Sequence, residues 1–259
     1  MKRITEVSNT ERQDQICAYL QQSQRASVEE LVAHFAISPA TARRDLEALE
    51  QQGKVRRVHG GAVARQSSPP EAPVLERSNE QSEAKERIGR AAAGLVQDGE
   101  TVFLSSGTTV LAVAAHLRQR QRLTVITNSL PALNALAGAP GVTLICLGGE
   151  LRHAELSLIG PLTEQALANL SADRVIFGVR GIHLSEGLTN AYLQESVTDR
   201  ALLRLGRQVT IVADHTKLGA VATVRVAPLS AMHTLVTDLQ APAAFLDALR
   251  ARGIQVLVA

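Results

Sequence analysis

Apolar residues in the first fifty positions recur at intervals of three and four, which is the spacing of one face of an α-helix. The pattern predicts three short helices, the first over Thr10–Gln22, the second from Ser27 and the third over Ser38–Leu49. In the third, the apolar stripe consists of Ala42, Leu46 and Leu49. The three stripes are expected to pack together as a small core.

The second and third predicted helices have strong start signals and a very short connection. Ser27 and Glu30 have the spacing of a capping box. Ser38 is a favourable amino-terminal cap, and Pro39 follows it at the first helical position. Gly53 can end the third helix in a left-handed conformation. This order is typical of a helix-turn-helix, whose second helix meets base edges in the major groove.

A basic segment follows the third helix. Residues 54–62 alternate in polarity and end in a Gly pair, which predicts a hairpin or wing. Residues 51–66 contain four basic residues and no acidic one, which suits DNA phosphates. A solvated basic face on a small helical domain is the alternative. The candidate DNA contacts are Ser38, Thr41, Arg43, Arg44, Lys54, Arg56, Arg57 and His59. Asp45 would orient a neighbouring arginine.

After residue 80, apolar runs of strand length alternate with helical segments. The predicted strands are Thr101–Leu104, Leu123–Ile126, Val142–Leu147, Arg174–Gly178, Val209–Ala213, Thr234–Thr237 and Ile254–Val258. The predicted helices are Glu83–Val96, Thr108–Arg118, Ser129–Ala137, Leu162–Leu170, Ser196–Leu205 and Ala243–Arg252. Continuously apolar strands are typical of a sheet covered on both faces. The pattern predicts a mostly parallel, Rossmann-like α/β domain.

The predicted domain order is therefore a DNA-binding domain over 1–62, a linker over 63–80 and a second domain over 81–259. The linker assignment rests on the Ser- and Pro-rich composition of residues 66–73, and its prolines would make it stiff. A chain of 259 residues is long enough for two domains.

Polar turns follow several predicted strands, and ligands of such sheets bind at the carboxyl ends of strands. The turn Ser105–Thr109 opens a helix and would present free N–H groups to a phosphate. Ordinary helix capping is the alternative for these turns, and a surface ion pair is the alternative for Asp214 and Lys217. The candidate effector contacts are Ser105, Ser106, Gly107, Thr108, Thr109, Thr127, Asn128, Ser129, Gly148, Gly149, Arg152, Arg180, Thr189, Glu195, Asp214 and Lys217.

Composition narrows the class of protein. The net charge is only +2, so nucleic-acid binding must depend on local charge. Aromatic residues make up 2%, which disfavours binding of single strands by base stacking. Cys17 and Cys146 stand in apolar segments and are expected in the core. The sequence indicates no metal cluster, catalytic group, cofactor, signal peptide or membrane span, and we expect a cytoplasmic protein.

The segment Ser38–Leu49, followed by Arg57-Val-His-Gly-Gly-Ala62, resembles the DeoR family of bacterial transcriptional regulators. Further along, Ser106-Gly-Thr-Thr109, Thr127-Asn128, Gly148-Gly149, Gly160-Pro161, Gly187-Leu-Thr189 and Asp214 with Lys217 resemble the family's effector domain. The resemblance implies a winged helix on operator DNA. It also implies an isomerase-like effector domain, similar in fold to ribose-5-phosphate isomerase, that binds a phosphorylated sugar or polyol.

Two positions depart from the family pattern. The family usually has Asp where this chain has Ser105 and Arg180. Arg180 would suit a more anionic ligand or an altered site. Both departures remove carboxylates that could act as the base of an isomerase.

We expect a DNA-binding regulator, a repressor of a carbohydrate-utilisation operon, that acts as a homo-oligomer, dimer or tetramer, with no membrane partner. A sugar-phosphate isomerase-like enzyme is the main alternative. An architectural DNA-binding protein without a ligand is a third reading, which the length and regularity of residues 83–259 disfavour.

Overall fold

A computed structural model describes residues 9–23, 25–51, 54–58, 60–64 and 72–259. The chain divides into two compact units, Met1–Pro70 and Glu71–Ala259. No helix in the described part of the chain is long and apolar enough to cross a membrane.

The first unit contains the three predicted helices, α1 (Asn9–Ser23), α2 (Val28–Phe35) and α3 (Pro39–Gln51). The capping box is confirmed, because Ser27 Oγ accepts from the N–H of Glu30 and Glu30 accepts from the N–H of Ser27. The hydroxyl of Ser38 caps α3 by accepting from the N–H of Thr41 at 3.1 Å. The predicted cap at Gly53 lies outside the described residues.

A small antiparallel sheet completes the first unit. It comprises β1 (Arg25–Ser27), β2 (Val55–Val58) and β3 (Gly61–Ala64), in the order β1-β3-β2. The hairpin of β2 and β3 is the predicted wing, whereas β1 was not predicted. Gly61 allows β1 to approach, because a Cβ at this position would lie 2.2 Å from the Ala26 carbonyl oxygen.

The apolar stripes of the three helices form the core of the first unit. Ile16, Leu20, Leu31, Leu46 and Leu49 are fully buried there, as their spacing predicts. Cys17 packs at the margin of this core.

The second unit contains twelve strands and seven α-helices among its described residues. Its strands are β4 (Thr101–Leu104), β5 (Leu123–Thr127), β6 (Val142–Cys146), β7 (Glu150–Arg152), β8 (Ser157–Ile159), β9 (Ala172–Gly178), β10 (Gly181–His183), β11 (Gly187–Asn190), β12 (Gly206–Val212), β13 (Val224–Ala227), β14 (Thr234–Thr237) and β15 (Gln255–Val258). Its helices are α4 (Val74–Arg77), α5 (Ser82–Gly94), α6 (Thr108–Leu117), α7 (Leu130–Leu136), α8 (Pro161–Leu167), α9 (Leu193–Leu203) and α10 (Ala243–Arg250).

Seven strands form one parallel sheet in the order β15-β14-β12-β9-β4-β5-β6. Apolar side chains on its two faces form separate clusters, so the sheet is covered on both sides. All seven predicted strands are confirmed within three residues at each end. Cys146 is exposed rather than buried, because β6 is an edge strand, and its predicted place in the core is wrong.

Two smaller sheets, which the sequence did not predict, stand beside the main one. One is the hairpin of β7 and β8, and the other has the order β10-β11-β13. Their strands have only three or four residues, too few to show a clear alternation.

Both ends of the predicted linker 63–80 belong to folded elements. Residues 63 and 64 are part of β3, and α4 packs within the second unit. The N–H of Val74 donates to the carbonyl oxygen of Ala154 at 2.7 Å. The linker assignment is therefore corrected at both ends. Composition did not indicate these contacts because they join α4 to a turn eighty residues away.

Candidate functional site

The start of α3 presents basic side chains to solvent. Arg43 and Arg44 are both exposed. The hydroxyls of Ser38 and Thr41 hydrogen-bond to each other at 2.9 Å, so they fix the first turn of the helix. These two hydroxyls are therefore engaged in helix capping, whereas the two arginines extend from a surface that a polyanion can approach.

Asp45 does not orient a neighbouring arginine, contrary to the sequence expectation. It is buried and binds Arg12 of α1 through both carboxylate oxygens, at 2.7 and 3.1 Å. Gln13 donates to the same carboxylate at 3.2 Å. The hydrogen bond to Asp45 raises the pKa of Arg12. The pair holds α1 against α3 and leaves Arg43 and Arg44 to the solvent.

Fewer basic side chains of the wing are available to DNA than its sequence suggests. The Lys54 ammonium lies 3.1 Å from a carboxylate oxygen of Asp14. Arg57 is exposed, and its N–H donates to Glu50 at 2.8 Å, which ties the wing to α3. The side chain of Arg56 and all of His59 lie outside the described part of the chain.

The second unit contains a cavity of about 280 Å³ at the carboxyl ends of β4, β9 and β12. The turn from β4 into α6 forms one wall. Gly107 has φ = 113°, a conformation that favours glycine, and as the amino-terminal cap residue of α6 it offers no side chain to the free N–H groups. Ser105 anchors this turn to β9, because its hydroxyl accepts from the N–H of Gly178 at 3.2 Å. Of the predicted effector contacts, the cavity is lined by Ser105, Ser106, Gly107, Thr108, Thr109, Arg180, Glu195, Asp214 and Lys217.

Lys85 is a cavity residue that the sequence analysis missed. It is buried on α5, and its ammonium donates to the carbonyl oxygen of Arg77 at 2.7 Å. Burial lowers the pKa of Lys85, while the charge of Asp214 opposes that shift. With Lys217 it brings two ammonium groups to a cavity that also receives the positive end of the α6 dipole. Lys85 lies within a helix rather than in a strand-to-helix turn, so the pattern of polar turns after strands did not indicate it.

Three arginines surround one buried carboxylate, Glu155, which the sequence analysis also missed. The Arg180 guanidinium is 3.0 Å from Glu155 Oε1, and Arg77 contacts the same oxygen. Arg152 is 3.8 Å away. Burial raises the pKa of Glu155 to about 7, although Arg77 and Arg152 act in the opposite direction. Arg180 is thus paired within the protein.

Two more carboxylates on α9 face the cavity. Glu195 accepts from Ser106 Oγ at 3.4 Å and from Ser157 Oγ at 3.3 Å, and it lies 3.1 Å from Arg152. Asp199 is buried one turn later, and burial raises its pKa well above the usual range. Asn190 donates to Asp199 at 2.6 Å.

The remaining predicted effector contacts are not among the residues that line this cavity: Thr127, Asn128, Ser129, Gly148, Gly149, Arg152 and Thr189. Most of them make hydrogen bonds within the fold. Thr127 Oγ1 donates to Leu104, Ser129 caps α7, and Thr189 Oγ1 accepts from Ala222. The turns after β5 and β6 pack on β8 and α8, as shown by the bonds from Asn128 to Leu158 and from Thr163 to Gly148.

The loss of two family carboxylates does not leave the cavity without carboxylate groups. Glu155, Glu195, Asp199 and Asp214 line it, although Ser105 and Arg180 stand where the family usually has Asp. The choice between a regulator and an enzyme therefore depends on the relatives of the whole chain.

Comparison with known proteins answers that question. The DeoR-like helix-turn-helix domain matches residues 12–68, and the DeoR C terminal sensor domain matches residues 80–239. The Glycerol-3-phosphate regulon repressor of Escherichia coli (strain K12) is 36% identical over 96% of this chain and 99% of its own. The HTH-type transcriptional repressor GlcR of Bacillus subtilis (strain 168) is 35% identical over 94% and 93%.

A solved structure of ribose 5-phosphate isomerase A from Methanocaldococcus jannaschii covers 54% of this chain and 55% of its own, with 16% identity and a TM-score of 0.41. That similarity is too distant to indicate a function. The family models and the full-length relatives agree with each other and with the winged helix and α/β cavity described above. The chain therefore belongs to the DeoR family of DNA-binding transcriptional regulators and is not an enzyme.

Proposed function

We propose that this regulator is a cytoplasmic repressor of a carbohydrate-utilisation operon, released from DNA by a phosphorylated sugar or polyol. The observation that carries the proposal is the cavity at the carboxyl ends of β4, β9 and β12. The names of two relatives, one a repressor of the glycerol-3-phosphate regulon, support the same kind of control.

The uncapped start of α6 supports a phosphate at one end of the cavity. Backbone N–H groups of the first helical turn have no partner within the helix, and the helix dipole favours an anion there. The hydroxyls of Thr108 and Thr109 line the same wall. Lys85 and Lys217 add two positive charges. This combination is the usual protein solution for a phosphate group.

Arg43 and Arg44 are our proposed contacts with operator bases, because they are exposed at the start of α3. Arg57 is proposed to approach the DNA backbone from the wing. Lys54 would contribute less, since it is paired with Asp14. Two such units on a twofold operator require a homo-oligomer, which we propose is a dimer or a tetramer.

Residues near the start of the second unit support a route by which ligand binding in the cavity affects the DNA-binding unit. Arg77, Glu80 and Gln81 line the cavity, so a ligand there would touch residues close in sequence to the DNA-binding unit. We propose that the ligand shifts this segment and weakens DNA binding. By linkage, DNA would weaken ligand binding by the same factor.

The test is binding of the full chain to DNA that flanks its own gene, repeated across a panel of sugar and polyol phosphates. The proposal expects specific binding that one compound releases. Specific binding that no compound alters would exclude control by such a ligand. An absence of specific binding would exclude the repressor function at this DNA.

A further inference from the structure

Lys85 joins the wall of the cavity to α4 through one hydrogen bond. It lies on α5 with 7% of its surface exposed, and it lines the cavity. Its ammonium donates at 2.7 Å to the carbonyl oxygen of Arg77, the last residue of α4. No other acceptor in the described part of the chain hydrogen-bonds to this ammonium. Because an ammonium has three N–H donors, Lys85 can still donate to a group that enters the cavity.

The charge of Lys85 is only weakly compensated by the protein. Asp214 and Glu80 are the carboxylates whose charges act on it, and neither forms an ion pair with it among the described residues. Its hydrogen-bond partner, the Arg77 carbonyl, is neutral. A hydrogen bond between two ionised groups is about twice as strong as one between neutral groups. An anionic group in the cavity would therefore compete with the Arg77 carbonyl for the ammonium.

The helix α4 is a single turn, and Arg77 is its point of attachment to two cavity residues. Lys85 holds the Arg77 carbonyl, and Glu155 holds the Arg77 guanidinium. Gln81, which leads from α4 into α5, has φ = 49°, a left-handed conformation that is strained in a residue with a Cβ. A segment of this length with a strained residue needs little energy to rearrange, so the loss of one attachment can move it.

We propose that the Lys85 ammonium transmits ligand binding to α4. Without ligand, its bond to the Arg77 carbonyl holds α4 in the position that favours operator binding. An anionic group of the ligand draws the ammonium into the cavity, and the bond to α4 is lost. Of the helices in the second unit, α4 is the one closest in sequence to the DNA-binding unit. This inference rests on the proposed function and names the residue that couples ligand binding to DNA affinity.

The test measures the affinity of the full chain for DNA that flanks its own gene, with and without phosphorylated compounds. The compounds are inorganic phosphate, glycerol 3-phosphate, ribose 5-phosphate and glucose 6-phosphate. Lys85→Met removes the ammonium and keeps an unbranched side chain. Lys217→Gln is the cavity control, because among the described residues the Lys217 side chain has no bond to α4. Arg90→Met is the surface control, because it removes an exposed positive charge from α5.

Without any compound, Lys85→Met should bind this DNA more weakly than the natural chain does. The loss should equal the loss that the releasing compound causes in the natural chain, which is about 5- to 150-fold in typical coupled systems. A saturating concentration of that compound should change the DNA affinity of Lys85→Met less than about twofold. Lys217→Gln should need more compound and still reach full release at saturation, and Arg90→Met should behave as the natural chain.

Hydrogen exchange of the Val74 amide measures the attachment of α4 in the natural chain, without any substitution. This N–H donates to the carbonyl oxygen of Ala154. The releasing compound should make it exchange faster in the natural chain. Lys85→Met should show the faster rate without any compound. Thermal unfolding of each variant establishes that it is folded before these measurements.

The outcomes separate this inference from the proposed function. Equal DNA affinity of Lys85→Met and the natural chain without any compound would overturn the role of Lys85, even where the natural chain is released normally. Unchanged or slower exchange of Val74 in the natural chain with its releasing compound would overturn the movement of α4. If no compound weakens DNA binding by the natural chain, the proposed function fails and this inference fails with it.

Discussion

The two units place their charged side chains in opposite ways. In the first, Arg43, Arg44 and Arg57 are exposed, and no ion pair between described residues involves Arg43 or Arg44. In the second, Arg180 and its partner Glu155 are largely buried and bind each other. Exposed cations suit a long polyanion that supplies its own countercharge, whereas a buried cavity must balance its charge before a small ligand arrives.

Asp45 is a buried, paired charge in the first unit, where the arginines of α3 are exposed. It is therefore the strongest test of the contrast between buried and exposed charges. Asp45→Ala removes the partner of Arg12 from a buried site and should lower the stability of α1–α3 by about 3 kcal/mol. Hydrogen exchange of the amides in these helices measures the loss. Asp14→Ala is the control, because its partner Lys54 is exposed to solvent, and it should cost less than about 0.5 kcal/mol. Equal losses of stability in Asp45→Ala and Asp14→Ala would contradict the contrast between the buried and the exposed ion pair.

The exposed arginines should act on DNA without affecting stability. Arg44→Ala should weaken specific operator binding by about 2 kcal/mol if the side chain reads a base. Operator and unrelated DNA are titrated in parallel at two salt concentrations. A loss of the same size on all sequences, with a salt slope reduced by about one, would make Arg44 a phosphate contact instead.

Lys217 tests the cation side of the cavity. Lys217→Gln should weaken binding of the effector about tenfold, or about 1.4 kcal/mol, because one positive charge at the phosphate is lost. Operator affinity without effector should not change. Thr127→Val is the control, since Thr127 bonds to Leu104 outside the cavity wall and its loss should leave effector affinity within twofold. A larger loss of effector affinity in Thr127→Val than in Lys217→Gln would place the ligand outside this cavity.

The buried carboxylate should make stability depend on pH. Burial raises the pKa of Glu155 from 4.5 to about 7, so its contribution to stability is complete below pH 4.5 and is lost as the pH rises through 7. From pH 6 to pH 8, the natural chain should therefore lose about 1 kcal/mol more unfolding free energy than Glu155→Gln. Urea unfolding at several pH values checks this difference. Parallel pH curves would mean that Glu155 titrates in its usual range.

Much of this architecture could be predicted from local signals. The caps at Ser27 and Ser38 and the stripe of Ala42, Leu46 and Leu49 are short-range patterns, and the structure contains them as expected. Strands of the parallel sheet were equally clear, because burial on both faces selects continuous apolar runs. The turn Ser105–Thr109 was also predictable, because a polar turn between an apolar strand and a helix is visible in the sequence.

The errors concern pairs that are far apart along the chain. Asp45 and Arg12 are 33 positions apart, and Arg77 and Glu155 are 78 apart. No spacing rule connects such residues. Ser105 follows β4 and Thr127 is the last residue of β5, yet only Ser105 lines the cavity, because β4 is beside β9 whereas β5 lies one strand further out.

The sequence by itself therefore determined the two-part organisation, the helix-turn-helix, the parallel sheet and the family. These follow from hydrophobic periodicity, helix caps and local motifs, which act over a few residues. Only the tertiary structure decided which polar turns meet at one cavity, that Lys85 and Glu155 join them, and that Arg180 is paired with Glu155. Those facts depend on strand order and on the packing of distant segments, since burial and charge pairing are properties of the folded chain.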